Sequence, residues 1–121
     1  MHELSITRSV VRTVAEATGG TRVLVVRMRV GALSGVVPDA LRFAWDVAVV
    51  DGPLAGSRLE IEEVPVAVAC RACERTSDLA DPLPLRCPEC AGREVDLVRG
   101  REIEVVDADI DDAPAVGEAA A

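Results

Sequence analysis

The segment TRVLVVRMRV, residues 21–30, is rich in β-branched side chains and predicts a β-strand. In its second half Val26, Met28 and Val30 alternate with two arginines, so the apolar side chains face one way and the charged ones the other. The segments on either side of this strand show which other elements the chain contributes.

An amphipathic helix is predicted over residues 4–18, before the strand. Apolar residues recur there at helical spacing and form one row, made of Ile6, Val10, Val14 and Ala17. Gly19 and Gly20 then end the helix, because glycine is favoured just past a helix C-terminus. A second helix is predicted over residues 38–50, where Pro38 suits the first turn. Its buried stripe is expected to consist of Leu41, Ala44, Trp45 and Ala48.

Two further strands are predicted over residues 57–64 and 101–110, where apolar and charged residues alternate again. Between them, residues 66–99 are turn-rich and contain all four cysteines. If the two strands pair with each other, the cysteine segment is an insertion in the sheet. The sequence therefore predicts an α+β fold, with a small three-stranded sheet, two helices and an inserted cysteine-rich module.

Composition limits the functions that the chain can have. Its formal net charge is −8, whereas nucleic acids and anionic membranes attract basic surfaces. No run reaches the roughly 18 apolar residues that span a membrane, and Glu3, Arg8 and Arg12 interrupt any signal-peptide apolar region. We therefore expect a cytoplasmic protein with no nucleic-acid or membrane partner. In a reducing cytosol, cysteines are metal ligands or catalytic thiols more often than disulfides.

The four cysteines form two C-x-x-C pairs, Cys70 with Cys73 and Cys87 with Cys90. Such pairs supply four thiolates at tetrahedral corners, each about 2.3 Å from a zinc ion. Four protein ligands leave no coordination position for water, so the spacing predicts structural zinc in a zinc-ribbon-like module. The compartment disfavours disulfides, and the presence of two pairs disfavours a thioredoxin-type redox site. Residues 66–99 contain five arginines against six acidic residues and no aromatic side chain to stack on a base, which argues against nucleic-acid binding.

The turns after the cysteine pairs depart from the common pattern, in which a glycine follows each pair. Glu74 follows the first pair and Ala91 the second, with Gly92 one place later. The difference concerns loop geometry and leaves the expected ligands unchanged.

The N-terminus places three nitrogen donors in succession, namely the α-amine of Met1 and the backbone amide and imidazole of His2, the only histidine in the chain. Together they can close a five-membered and a six-membered chelate ring around one metal ion, and Glu3 adds an oxygen donor. The amine and imidazole have pKa values near about 8 and about 6.5, so both can give up a proton to a metal at neutral pH. Nitrogen and oxygen donors favour Ni(II) or Cu(II) over zinc. The alternative is that His2 is simply solvated.

Four motifs together resemble a known family. They are MHELSI at residues 1–6, RVGALSGVVPDALRFAW at residues 29–45, the two cysteine pairs, and GREIEV at residues 100–105. In this order they resemble HypA/HybF, the hydrogenase nickel-incorporation proteins, from residue 1 to about residue 110. The N-terminal and central motifs are far more specific than the cysteines alone.

The resemblance implies a nickel metallochaperone, not an enzyme, that binds Ni(II) transiently during maturation of nickel–iron hydrogenase. Its implied partners are the GTPase HypB and the hydrogenase large-subunit precursor, and a weak homodimer is a further expectation. The family's nickel site matches Met1, His2 and Glu3, with Asp39 as an additional candidate ligand. Its structural Zn(II) site matches Cys70, Cys73, Cys87 and Cys90.

On this interpretation the chain has three parts. Residues 1–65 and 100–110 form a nickel-binding α/β domain, residues 66–99 form the structural zinc module, and residues 111–121 form a disordered acidic tail.

Two other functions stay open at this point. The first is a zinc-ribbon adaptor that binds only protein partners and transfers no nickel, with His2 incidental. The second is an enzyme, although the sequence offers no Ser/His or Cys/His nucleophilic set, because His2 is the only histidine and the thiols are expected to bind metal.

Overall fold

A computed structural model describes residues 3–80 and 84–111 and shows two helices and six strands there. The helices are α1 (Glu3–Ala17) and α2 (Pro38–Ala48). The strands are β1 (Val23–Gly31), β2 (Arg58–Val64), β3 (Val66–Cys70), β4 (Thr76–Leu79), β5 (Val95–Arg99) and β6 (Ile103–Ile110). The predicted α+β fold is confirmed, with a three-stranded sheet, two helices and an inserted second sheet.

The first sheet has the strand order β2-β1-β6. The strand β1 pairs with β2 in parallel orientation, and Val26 lies opposite Leu59 there. It pairs with β6 in antiparallel orientation, and Val26 lies opposite Ala108. The hypothesis that segments 57–64 and 101–110 pair with each other is not met, because β1 lies between them. The crossover through α2 places β2 directly beside β1, which leaves the opposite edge of β1 for β6. Since β6 belongs to this sheet, the cysteine segment is still an insertion.

The apolar face of β1 packs against both helices and forms the main core. Val26, Met28 and Val30 are almost fully buried, as the alternation predicts. On α2, the predicted stripe is confirmed at Leu41, Ala44 and Trp45, which are buried, whereas Ala48 is half-buried. The indole of Trp45 also donates a 3.1 Å hydrogen bond from Nε1 to Oγ of Ser57, which satisfies its one polar atom inside the core.

The other face of the first sheet is polar and held by ion pairs across all three strands. Arg27 on β1 contacts Glu60 on β2 at 3.0 Å, and Asp107 and Asp109 on β6 at 3.0 and 2.9 Å. Arg27 lowers the pKa of the Asp109 carboxyl, chiefly through their hydrogen bonds. Because these side chains are partly exposed, their main effect is on strand register rather than on total stability.

The second sheet has the order β4-β3-β5, with every pair antiparallel. Its buried apolar core is small and consists of Val66, Val68 and Leu79. At the junction with the first sheet, the amide of Leu33 donates to the carbonyl of Gly100 at 2.6 Å, and the amide of Gly31 donates to the carbonyl of Glu102 at 2.7 Å. The two sheets therefore meet through backbone contacts between residues 31–33 and 100–102.

The last described residue, Asp111, directly follows β6, and its amide donates to the carbonyl of Arg22 at 2.8 Å. The rest of the predicted acidic tail, residues 112–121, lies outside the described residues. Neither helix within residues 3–80 and 84–111 is long and apolar enough to cross a bilayer.

Candidate metal centre

The four cysteines converge at one end of the second sheet, where their sulfur atoms all lie within 4.8 Å of one another. Cys70 Sγ lies 3.7 Å from Cys90 Sγ, and Cys73 Sγ lies 3.5 Å from Cys87 Sγ. Each short contact joins one cysteine pair to the other, as expected for four corners of a tetrahedron. A tetrahedral zinc with bonds of about 2.3 Å places its sulfurs roughly 3.8 Å apart. The four thiols thus fit a structural zinc ion.

Two turns of matching geometry present these thiols. In the first, the amide of Glu74 donates to the carbonyl of Cys70 at 2.9 Å, and the amide of Cys70 donates to the carbonyl of Arg75 at 2.8 Å. The second turn repeats both bonds, from Ala91 to Cys87 at 2.8 Å and from Cys87 to Gly92 at 2.9 Å. Each turn curls its two sulfurs towards the same point, which explains the two-residue gap within each pair.

The matching turns both require left-handed backbone at the residue after the pair. Glu74 has φ of 61° and Ala91 has φ of 62°, and they are the two described non-glycine residues with positive φ. Left-handed backbone costs an L-residue about 1–2 kcal/mol. The absence of glycine noted in the sequence therefore leaves the fold unchanged and places strain at these two positions.

Glycine at either strained position is expected to stabilise the zinc-loaded protein. Glu74→Gly and Ala91→Gly should each raise the free energy of unfolding by roughly 0.5–1 kcal/mol, because relief of left-handed strain outweighs the extra freedom of glycine in the unfolded chain. Denaturant unfolding at saturating zinc measures the effect. Glu74→Ala is the matched control, since it removes the carboxylate but keeps the strained Cβ. Equal stability of Glu74→Gly and Glu74→Ala would contradict this explanation.

The thiols differ in how readily they lose a proton. The hydrogen bond from the backbone amide of Cys73 lowers the pKa of Cys70 to about 7. For Cys73, the hydrogen bond from the backbone of Arg75 lowers the pKa, but burial and the neighbouring thiols, first that of Cys87, outweigh it and raise the value to about 12. Because zinc binds thiolates, loading the site must displace protons, and zinc affinity must fall as the pH falls.

The structure describes two of the four predicted nickel ligands, Glu3 and Asp39. Met1 and His2 lie outside the described residues, and Glu3 is the first residue of α1. Asp39 lies in the first turn of α2, its side chain is 92% exposed, and it forms a 2.7 Å ion pair with Arg42. Within residues 3–80 and 84–111, only the four cysteines form a group of three or more potential metal ligands. The structure therefore does not gather Glu3 and Asp39 into such a group.

Two contributors to the cysteine site were not predicted from the sequence. A Cβ on Gly92 would lie 3.2 Å from Cys90 Sγ and 3.8 Å from Cys70 Sγ, so this glycine lets the second turn close against the sulfurs. Arg75 and Glu89 form a 3.4 Å ion pair that links the two turns. The place of Gly92, two residues after Cys90, was the only sequence signal for the first of these roles.

The sequence of this chain is similar to those of a family of metallochaperones. The family model described as HypA, hydrogenase/urease nickel incorporation, metallochaperone, matches residues 1–110. Hydrogenase maturation factor HypA of Roseiflexus sp. is 47% identical over 115 residues, which cover 93% of this chain and 94% of that protein. Hydrogenase maturation factor HypA of Chloroflexus aurantiacus is 46% identical over 109 residues, which cover 88% and 96%.

A solved structure has the same fold. The solution structure of the Ni metallochaperone HypA from Helicobacter pylori superposes with a TM-score of 0.62, over 91% of this chain and 97% of that chain. The two sequences are 18% identical, so this likeness concerns the fold alone.

Proposed function

Because this chain belongs to the HypA family of hydrogenase/urease nickel-incorporation metallochaperones, we propose that it binds Ni(II) through Met1, His2 and Glu3. The observation that carries the proposal is the family match, which begins at residue 1 and so includes these three residues. The protein is a metallochaperone and not an enzyme, so nickel is its cargo.

The chemistry of the N-terminal donors supports this assignment. The amine of Met1 and the amide and imidazole of His2 can together close adjacent chelate rings around one ion, and nitrogen donors of this kind suit Ni(II). Glu3 begins α1, and the hydroxyl of Thr7 donates to the carbonyl of Leu4 at 2.9 Å within the first turn. Thr7 is fully buried, so the turn that follows the proposed ligands is anchored in the core. In this proposal the ligands extend from a fixed helix end, and Asp39 remains an additional candidate ligand.

The cysteine site has a separate, structural role in the proposal. Cys70, Cys73, Cys87 and Cys90 would hold Zn(II) with no open coordination position, so the ion stabilises residues 66–99 without taking part in transfer. Residues 1–65 and 100–110 would then form the nickel-binding domain. This division assigns transient metal binding to the part of the chain that needs no zinc.

Transfer requires partner proteins, and hydrogenase maturation is the process in which the family acts. We propose that a HypB-type GTPase supplies Ni(II) to this chain in the cytoplasm. The large-subunit precursor of nickel–iron hydrogenase would then receive it by ligand exchange. An N-terminal site made of few ligands suits such a donor, because its ion can pass to a site with more ligands.

Replacing the proposed imidazole ligand tests the nickel site directly. His2→Ala should weaken Ni(II) binding by at least about tenfold, since the loss of even an outer-shell partner of a metal ligand costs about 10–100-fold. Nickel titration by calorimetry measures the change, and Ser5→Ala in the same turn is the control. X-ray absorption of the nickel-loaded protein should show nitrogen and oxygen neighbours.

Two results would overturn the nickel proposal. Unchanged affinity in His2→Ala would favour the alternative function, a zinc-ribbon adaptor that binds only proteins. An all-sulfur nickel shell would place the ion on the cysteines instead. Asp39→Asn belongs in the same titration, because a weakened affinity there would add Asp39 to the ligands.

A further inference from the structure

The outer side of α2 carries an exposed apolar face made of Phe43, Val47 and Val50. Phe43 is 74% exposed and Val47 is 48% exposed, and they lie one helical turn apart. Val50 continues the row just past the end of the helix and is 75% exposed. The chain has one phenylalanine and one tryptophan. The tryptophan is buried in the core, whereas Phe43 is exposed to solvent.

Acidic residues surround this face. Asp39 precedes Phe43 by one turn, Asp46 neighbours both Phe43 and Val47, and Asp51 follows Val50. All three are exposed, and the one basic residue on this stretch, Arg42, is already paired with Asp39 at 2.7 Å. Three carboxylates against one guanidinium leave the rim with a net charge of −2. A complementary surface must therefore be apolar at its centre and basic at its edge.

A symmetric dimer through the α2 face does not offer that complement, and neither does the exposed side of α1. A symmetric dimer through this face would place the carboxylates of one copy against those of the other. The exposed side of α1 does carry basic residues, but it is otherwise polar and small, with Ser5, Arg8, Ser9, Arg12 and Thr13 exposed. It has no large apolar side chain to cover Phe43.

We propose that the α2 face is the docking site for a partner protein that presents an apolar side chain flanked by arginine or lysine. The inference rests on the proposed function, because the HypB-type GTPase and the large-subunit precursor are the proteins on which it can be tested. Aromatic side chains, phenylalanine among them, are enriched at the centres of protein interfaces relative to the rest of the protein surface.

Binding of the zinc-loaded full chain to each of the two purified proteins tests the proposal. Phe43→Gln with Val47→Gln should weaken binding to at least one of them by about tenfold or more, because both apolar contacts are lost. Phe43→Leu should retain most of the affinity. The matched control is Val98→Gln on β5, whose side chain is 47% exposed, about as much as that of Val47.

Salt dependence separates a basic partner from self-association. Wild-type affinity should fall several-fold between about 0.05 and about 0.5 M salt, and Asp46→Asn with Asp51→Asn should reduce this dependence. Unchanged binding of the Phe43/Val47 variant, or an equal loss in Val98→Gln, overturns the docking site. Dimerisation of the wild type that the Phe43/Val47 variant abolishes also overturns it, in favour of a second copy.

Nickel titration of the same variants keeps the two proposals apart. The Phe43/Val47 variant should bind Ni(II) as the wild type does, since neither residue is a proposed ligand. Weak nickel binding by the wild type would count against the proposed function, whereas unimpaired partner binding by the variant counts only against the docking site. If the wild type binds neither protein, both the delivery step and the docking site are wrong.

Discussion

Replacement of Cys87 by serine is expected to abolish zinc retention and unfold the second sheet while the first sheet stays folded. Cys87 is almost fully buried and its sulfur is 3.5 Å from that of Cys73. The second sheet buries few apolar side chains around its centre, namely those of Val66, Ala67, Val68 and Leu79. They are too few to offset the entropy of ordering residues 66–99. Structural zinc contributes about 10–16 kcal/mol in small zinc-binding peptides. Loss of one ligand should therefore remove most of what holds this sheet.

Trp45 allows the folded state of the first sheet to be measured separately from the unfolding of the second sheet. It is the only tryptophan, and it lies in the main core, where its indole donates a hydrogen bond to the hydroxyl of Ser57. Its fluorescence should stay native in Cys87→Ser, while amide protection in β3, β4 and β5 is lost. Ala72→Ser, an exposed change in the first turn, is the control and should retain zinc. Full amide protection of the second sheet without zinc would show that its own core is sufficient.

Replacement of Gly31 by alanine is expected to destabilise the junction between the sheets by about 3 kcal/mol. A Cβ at this position would lie 2.2 Å from both the carbonyl carbon and oxygen of Gly100, and 2.6 Å from the amide nitrogen of Arg101. These are backbone atoms, so no side chain can rotate away. The strand β1 would have to separate from residues 100–102, and the short hydrogen bonds from Gly31 and Leu33 would be lost with it.

Gly35→Ala provides the comparison for this effect. Gly35 has φ of +82°, but a Cβ there meets nothing within 4 Å. Its substitution should cost only the backbone strain, about 1 kcal/mol. Denaturant unfolding followed by Trp45 fluorescence measures both variants. Equal losses for Gly31→Ala and Gly35→Ala would mean that the close approach to Gly100 is not structurally important.

The elements with one apolar face could be predicted from the sequence. The alternation around Met28 and the helical spacing around Trp45 report directly which side chains leave water, and both were confirmed. The two-residue gap within each cysteine pair brings its own two sulfurs together, and the need of a zinc ion for four ligands predicted that the two pairs converge. The alternation, the helical spacing and the gap within each pair depend on neighbours in sequence, so the sequence alone could indicate them.

Features that depend on distant segments could not be predicted. The position of β1 between β2 and β6 is decided by which edge each strand reaches, and the alternating patterns of β2 and β6 are compatible with either edge. The contact of Gly31 with Gly100 joins residues far apart in the chain, and nothing near either glycine indicates it. Likewise, helical spacing places Phe43 on the outer side of α2 but does not indicate that it stays uncovered.

The register of the first sheet places the two points where the chain leaves and re-enters it close together. Val64 at the end of β2 lies opposite Gly31, and Ile103 at the start of β6 lies opposite Val30. Two neighbouring inter-strand spacings separate these ends by about 10 Å, a gap that about three extended residues can bridge. The entire segment between them could therefore be excised and replaced by a short linker without reordering a strand. A minimal protein made of the two helices and the first sheet could be obtained in this way.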